Sequence, residues 1–221
     1  MGNSKLYQWS VEHRHPIFLV GLLLFFIVPE VFEKIFLFPL PPQLIFILLV
    51  VSSMLLIRVA AKYRFIPYAI VLGLVAFIIY WNTLSESNSI ELTAYVFLFI
   101  YFSFIAFFLF KDLMNSQKIT PSVIIGAFAG YFMIGVIFFF IFSLLDLAYP
   151  DTVNVDMNVH KGIDDMFYFS FITLTTIGYG DFSPTSSMGQ KLAILEGLIG
   201  QFYIAIVMAI LVGKFLSREP D

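Results

Sequence analysis

Thr175-Thr176-Ile177-Gly178-Tyr179-Gly180-Asp181 is the stretch of sequence that constrains the fold of this chain most strongly. It follows an apolar segment, 166–174, that is too short to cross a membrane as a helix, and it precedes a long apolar segment at 188–215. Glycine adopts left-handed backbone conformations at little cost, so Gly178 and Gly180 allow successive carbonyl groups to point the same way. Such a row of carbonyls can replace the water around a dehydrated cation. The stretch therefore predicts a pore-lining strand, with a simple turn between two helices as the alternative.

The composition is that of an integral membrane protein. Of the 221 residues, 60% are hydrophobic and 12% are charged, whereas a soluble domain carries about 25% charged residues. No extended region is polar enough for a separate soluble domain, so we expect one membrane domain in a lipid bilayer, with short tails. The net charge of −3 gives no reason to expect nucleic-acid binding. The absence of cysteine excludes disulfides and cysteine metal sites, and no cofactor is expected.

The distribution of apolar segments predicts six membrane-spanning helices, because each needs roughly 20 mostly apolar residues. The predicted spans are 16–37, 41–58, 65–82, 91–110, 120–145 and 188–215. Thr120 followed by Pro121 is typical of a helix start and fixes the beginning of the fifth span. The connection 146–187 is polar at first and then apolar, which predicts a re-entrant helix starting near Asp164 or Asp165. The predicted fold class is an all-α membrane protein with a re-entrant helix and the pore-lining strand between helices five and six.

The charged residues give an independent test of this topology, since cytoplasmic loops collect positive charge. Six spans place nine of the 12 basic residues on one side: Lys5, Arg14, Arg58, Lys62, Arg64, Lys111, Lys118, Lys214 and Arg218. The other side holds ten of the 15 acidic residues: Glu30, Glu33, Glu86, Glu91, Asp146, Asp151, Asp156, Asp164, Asp165 and Asp181. This segregation predicts that both termini lie in the cytoplasm, and the plasma membrane is the expected location.

The seven residues 175–181 resemble the signature of the potassium channel superfamily, with Ile177 in place of the commoner valine. The similarity covers roughly residues 120–216 and resembles the bacterial two-span ion-channel domain. The resemblance implies K+ as the transported ion. It also implies ion sites made by the carbonyls of Thr176, Ile177, Gly178 and Tyr179 and by the Thr176 hydroxyl, with the Gly180 carbonyl facing the external entrance.

The predicted organisation follows from this pore region. The domains are a cytoplasmic tail at 1–15, a four-helix peripheral region without voltage-sensor charges at 16–119, a pore domain at 120–216 and a cytoplasmic tail at 217–221. One pore loop supplies one quarter of an ion's coordination shell, so we expect a homotetramer. A separate regulatory subunit is an open question at this point.

The sequence departs from the family pattern beside the pore strand. Many members carry two tryptophans where this chain has Tyr168 and Phe169, and some place a glutamate at the position of Ile172. Both changes predict that Asp181 and Tyr179 are held less firmly than in those members. The residues expected to support the strand are Thr175, Asp181, Tyr168, Phe169 and Glu196.

Glu196 is an acidic residue inside the sixth predicted span, and a charge at mid-membrane costs at least about 2.5 kcal/mol. It either forms hydrogen bonds behind the pore strand, where Ile172 cannot, or is a protonated structural residue between helices five and six.

The sixth span also contains candidate gating residues. Gly200 is either a hinge or a point of close helix packing. Residues on its face at helical spacing, expected to close the pore by excluding water, are Ile204, Met208, Val212 and Phe215.

The expected function is passive, K+-selective conduction with little voltage dependence, because residues 92–110 carry no Arg or Lys to act as gating charges. An enzyme is not expected, since the three histidines lack metal-binding spacing, and a transporter would show internal repeats. A nonselective channel would be expected to break the Gly-Tyr-Gly element. A non-conducting regulatory subunit remains an alternative.

Overall fold

The computed structural model describes residues 12–24, 53, 88–116, 119–149, 152–155 and 163–216. Most of these residues are helical. The elements are α1 (Arg14–Leu24), α2 (Asn88–Asn115), α3 (Pro121–Ala148), β1 (Val153–Val155), α4 (Ile163–Leu174), β2 (Phe182–Pro184) and α5 (Ser187–Leu216). Residues 175–181 connect α4 to β2.

Three of the helices are long and apolar enough to cross a membrane. They are Tyr95–Asn115, Pro121–Ala148 and Ser187–Val207. The fourth, fifth and sixth predicted spans are therefore confirmed as helices of suitable length and composition. Of the predicted spans 41–58 and 65–82 only Ser53 is described, and of the first span only 16–24, so the total of six stays a prediction.

The start of α3 agrees with its sequence signal. The helix begins at Pro121, and the Val123 amide lies 3.4 Å from the Thr120 hydroxyl oxygen, which is the geometry of a threonine N-cap. The short helix α4 starts at Ile163, close to the start predicted for the re-entrant helix.

The chain divides into two compact units, the first made of residues 1–84 and 107–129. In this unit the His15 side chain is completely buried. Its Nε2 lies 2.8 Å from Asp112 Oδ2 and its Nδ1 lies 3.1 Å from the Ser122 hydroxyl. Arg14 Nε donates to the same Asp112 oxygen at 2.8 Å. This polar cluster fastens α1 to the end of α2 and the start of α3.

The second unit consists of residues 85–106 and 130–221, and its core is largely aromatic. Phe132 and Phe171 pack with ring centroids 4.7 Å apart, which joins α3 to α4. Phe142 meets Phe169 edge-on at 4.8 Å farther along the same two helices. Aromatic contacts of this kind combine large burial with preferred geometry, so they fix the position of α4 against α3.

A two-stranded ribbon ties the connection after α3 to the segment that follows residue 181. Strand β1 pairs antiparallel with β2, so that Val153 lies opposite Pro184 and Val155 opposite Phe182. The Thr152 carbonyl accepts from the Thr185 amide at 2.9 Å. The sequence reasoning predicted only a polar connection here and missed the ribbon.

Candidate ion-selective site

The backbone of residues 175–181 alternates in handedness. Thr176, Gly178 and Gly180 have φ values of +59°, +50° and +85°, while Ile177 and Tyr179 between them do not have positive φ. Glycine reaches such values cheaply, whereas a β-branched threonine there is a strained conformation of the kind found at functional sites. Among the described residues, Thr176 is the one non-glycine residue with positive φ. The sequence reasoning anticipated the glycines and missed Thr176.

Three consecutive amide groups of this stretch point toward the C-terminal end of α4. The Thr176 amide donates to the Thr173 carbonyl at 3.0 Å, and the amides of Ile177 and Gly178 donate to the Ile172 carbonyl at 2.9 and 3.2 Å. In a trans peptide the carbonyl of one residue points opposite to the amide of the next. The carbonyls of Thr175, Thr176 and Ile177 therefore face away from α4.

The lower end of the stretch is fixed by groups from α3 and α5. The Tyr131 hydroxyl donates to the Leu174 carbonyl at 3.0 Å, and the Thr175 hydroxyl donates to the Phe171 carbonyl at 2.6 Å. A Cβ atom added to Gly200 would lie 2.7 Å from the Leu174 carbonyl oxygen, so α5 approaches α4 as closely as only glycine permits. The last turn of α4 is thus held from both sides.

The upper end is fixed by Tyr168 and Asp181. The Tyr168 hydroxyl donates to Asp181 Oδ2 at 2.7 Å, and the Phe182 amide donates to Asp181 Oδ1 at 3.1 Å. The hydrogen bond to Asp181 raises the pKa of Tyr168 to about 12, so the phenol remains a donor at physiological pH. The expectation of a loosely held Asp181 overlooked this donor, because it considered only a tryptophan or a glutamate as its partner.

The remaining predicted supports lie in different places. Phe169 is buried and packs against Phe142 of α3. Tyr179 is 72% exposed in the single chain, and Ile177 is 52% exposed. Ile172, which the sequence reasoning treated only as a missing glutamate, supplies the carbonyl that accepts two amides of the stretch.

Comparison with known proteins agrees with this geometry. The family model described as "Ion channel" matches residues 123–217. The voltage-gated potassium channel regulatory subunit KCNF1 of Rattus norvegicus is 29% identical over 96 residues, which are 42% of this chain and 18% of that protein. The inward rectifier potassium channel Kirbac3.1 of Paramagnetospirillum magnetotacticum is 34% identical over 74 residues, 33% of this chain and 25% of that protein. These matches support membership of the potassium channel superfamily for the segment they cover.

Another relative is the two-pore potassium channel 1 of Arabidopsis thaliana, 38% identical over 71 residues, which are 31% of this chain and 17% of that protein. The matched stretch therefore spans a quarter or less of each of these relatives. No solved structure matches the chain. The match to the ion-channel family model and the three long apolar helices indicate a membrane protein.

Glu196 is completely buried on α5 and faces α4. Its Oε1 atom lies 2.5 Å from the Ser170 hydroxyl oxygen, and the same hydroxyl lies 2.8 Å from the Gly135 carbonyl oxygen of α3. The two alternatives for Glu196 were hydrogen bonding behind the pore strand and a protonated structural residue between helices five and six. Neither anticipated the serine, because a single serine in an apolar helix carries no signal of its partner.

The candidate gating residues lie along α5, which is helical without interruption from Ser187 to Leu216. Gly200 is buried at its close approach to Leu174, and Ile204 is 44% exposed. The side chains of Met208, Val212 and Phe215 lie outside the described residues. The geometry at Gly200 is that of close packing, and its role as a hinge stays a prediction.

Proposed function

We propose that this chain is a subunit of a K+-selective channel that conducts passively across the membrane. The observation that carries the proposal is the alternating backbone of 176–180, in which the amides of 176–178 donate to carbonyls of α4. That arrangement leaves the carbonyls of Thr176 and Ile177 free to face an ion path. Together with Gly178, Tyr179 and the Thr176 hydroxyl they are the proposed ligands of dehydrated K+, and Gly180 lies at the entrance.

We propose a homotetramer as the conducting form. One chain can place oxygens on only one side of an ion, so a complete coordination shell requires further copies around an axis. The exposure of Ile177 and Tyr179 supports this assembly, because a strand held in strained conformations is expected to be packed on more than one side. If each copy supplies one quarter of the shell, four equivalent copies in closed symmetry around one pore complete it.

The proposed topology has six spans, with both termini in the cytoplasm of a plasma-membrane protein. The proposed pore domain is 120–216, and 16–119 forms a peripheral four-helix region between the tails 1–15 and 217–221. Residues 92–110 contain no Arg or Lys, so we expect conduction to depend only weakly on voltage.

Residues 175–181 are called the ion-lining stretch from here on. The proposed supporting residues act at its two ends. Thr175 holds the lower end through Phe171, and the pair of Tyr168 and Asp181 holds the upper end. Phe169 acts indirectly, by packing α4 against α3. The proposed gate is the α5 face that runs from Gly200 through Ile204 to its cytoplasmic end, with Met208, Val212 and Phe215 completing it.

The test is ion flux through the purified protein in liposomes. We expect uptake of potassium and of its close analogue rubidium, with sodium excluded. Uptake should collapse when the potassium gradient that drives it is removed, because no coupling ion is involved. Sodium entry as fast as potassium entry would contradict the proposal.

A second candidate is a non-conducting regulatory subunit, which the name of the rat relative favours. In that case the pure protein gives no flux in liposomes. Flux or its modulation would then appear only after another channel subunit is added. The same assay, performed with protein whose assembly has been verified by its mass, separates the two candidates.

A further inference from the structure

Three oxygen atoms from three helices form a buried chain behind the ion-lining stretch. Glu196 Oε1 of α5 lies 2.5 Å from the Ser170 hydroxyl of α4, which lies 2.8 Å from the Gly135 carbonyl of α3. Glu196 and Ser170 are both completely buried. Both oxygen–oxygen distances are those of strong hydrogen bonds, so each requires a proton between its atoms.

The proton count decides the charge of Glu196. A serine hydroxyl carries one proton, and a backbone carbonyl carries none. If Glu196 were ionised, the Ser170 proton could fill only one of the two contacts, and the other would bring two lone pairs together at 2.5 or 2.8 Å. If Glu196 is protonated, its O–H donates to Ser170, and the Ser170 O–H donates to Gly135. The protonated form alone gives each contact a proton of its own.

The surroundings of Glu196 agree with the neutral form. Within the described part of the chain the two ion pairs both involve Asp112, and no basic group pairs with Glu196. The second carboxyl oxygen, Oε2, is buried without a hydrogen-bond partner, an arrangement that a carbonyl oxygen tolerates better than a charged carboxylate oxygen.

We infer that Glu196 is a neutral hydrogen-bond donor that positions α4 between α3 and α5 through Ser170, and so sets the placement of the ion-lining stretch. The inference rests on the proposed function and deepens it. Ser170 lies one helical turn before Leu174. The two residues just before Leu174, Ile172 and Thr173, have the carbonyls that accept the amides of the stretch. A change in the position of α4 therefore moves those carbonyls and the ion-lining backbone together. Glu196 is a positioning residue, since it touches α4 and not the ion.

The protonation state can be measured without any ion flux. Infrared spectra of the purified protein at neutral pH are compared with those of Glu196→Gln. We expect the carbonyl stretching band of a protonated carboxylic acid in the natural protein and its loss in the variant. If the difference spectrum contains only carboxylate bands, the inference is overturned, whether or not the protein conducts.

The positioning role is tested with variants that keep or remove the donor. Glu196→Gln retains an N–H that can donate to Ser170, so we expect it to keep both melting temperature and potassium-over-sodium selectivity. Glu196→Ala and Ser170→Ala each remove a link, and we expect selectivity to fall roughly tenfold, the change that corresponds to one lost buried hydrogen bond. The double variant should fall little further, because both changes break the same chain of hydrogen bonds.

Ser143→Ala is the matched control. Ser143 is also a buried serine, but its hydroxyl donates at 2.8 Å to Phe139 within its own helix, α3, and links no other element. We expect its selectivity to equal that of the natural protein. Equal loss in Ser143→Ala and Ser170→Ala, or the failure of Glu196→Gln to retain selectivity, contradicts positioning by Glu196. Absence of flux from the natural protein contradicts instead the proposed function.

Discussion

Helices α3 and α5 are both long and apolar enough to cross a membrane. They differ in how much of each helix is buried within the chain. In α3, 61% of the most apolar 18-residue segment is buried within the chain, compared with 11% of the corresponding segment in α5. On α5 the side chains of Ile194, Phe202 and Ile206 are 64%, 62% and 55% exposed. Helix α3 finds its packing partners in its own chain, whereas α5 leaves most of its surface for lipid or for other copies.

The buried part of α5 is a narrow stripe directed at α4. Glu196 and Gly200 are spaced four residues apart, so they lie one above the other on the same face. Glu196 bonds to Ser170, and Gly200 lies against Leu174. This difference between the two helices indicates that a single chain covers the side of the ion-lining stretch that faces α4. The opposite side, its open front, stays uncovered. In a homotetramer the exposed face of α5 and the strand 176–180 become internal.

The largest effect is expected at the open front, from Gly178→Ala. A left-handed alanine costs roughly 1–2 kcal/mol per residue, or about 4–8 kcal/mol over four copies. An added Cβ meets nothing within 4 Å in the single chain, so within one chain the cost is one of backbone conformation. We expect potassium uptake into liposomes to be abolished while the helical circular dichroism is unchanged.

Gly213→Ala is the control for this change, because Gly213 also has open space around it and lies within α5 without positive φ. It should conduct normally. Normal conduction by Gly178→Ala would mean that the left-handed backbone is not needed for the ion path.

The next largest effect is expected from Phe202→Ala on the exposed face of α5. If Phe202 is buried between copies, its truncation costs about 3–5 kcal/mol per copy. We expect the protein to dissociate to smaller species, measured by mass in detergent solution, while the secondary structure is retained.

Phe128→Ala on α3 removes a phenylalanine of similar exposure, 56% against 62%. We expect this variant to keep its assembly, because the greater exposure of α5 places the contacts between copies on α5 and not on α3. Equal dissociation of both variants would remove the distinction between the two helices.

A smaller effect is expected at the buried stripe, from Gly200→Ala. The new methyl group would lie 2.7 Å from the Leu174 carbonyl oxygen, and such overpacking costs about 1–3 kcal/mol. We expect a lower melting temperature and reduced selectivity, since the last turn of α4 must move.

Gly197→Ala lies on the same helix, where the nearest atom to an added Cβ is the Thr173 oxygen at 3.9 Å, an ordinary contact. It should be neutral or stabilising by up to about 1 kcal/mol, because alanine favours helices. If Gly200→Ala behaves like Gly197→Ala, the close approach of α5 to α4 is not required.

The smallest effect is expected from Tyr168→Phe, which removes the hydrogen bond to Asp181 and keeps the ring contact with Phe182 at 5.2 Å. Because the Phe182 amide still holds the other oxygen of Asp181, we expect conduction to persist but to decline faster during a sustained recording. Tyr149→Phe changes an exposed tyrosine that lies beyond α3 and serves as the control. Identical time courses for the two variants would show that the Tyr168 hydroxyl does not stabilise the entrance.

Much of the pore region could be predicted because its signals are local. A run of apolar residues specifies a helix of membrane length, and the described portions of the last three predicted spans agree with this. Thr120 and Pro121 mark the start of α3 within a few residues of sequence. The two glycines of the ion-lining stretch predict positive φ at their positions, because glycine is the residue that adopts positive φ without strain.

The supporting contacts could not be predicted because they join distant residues. Tyr168 and Asp181 are 13 residues apart, and Ser170 and Glu196 are 26 apart. Whether such side chains meet depends on how helices lie against one another, and that is set by the aromatic packing of α3 on α4. The same applies to Ile172, whose contribution is a backbone carbonyl that every residue type possesses.

The sequence by itself determined that this is a membrane protein with long apolar helices and a glycine-containing stretch suited to aligned carbonyls. Backbone preferences and hydrophobic length are properties of short segments, so they can be read without coordinates. Only the tertiary structure decided which groups contact that stretch, namely the α4 carbonyls and Tyr168, and that Ser170 meets Glu196. Hydrogen bonds between helices depend on distances of a few tenths of an ångström, and these arise only when the helices pack.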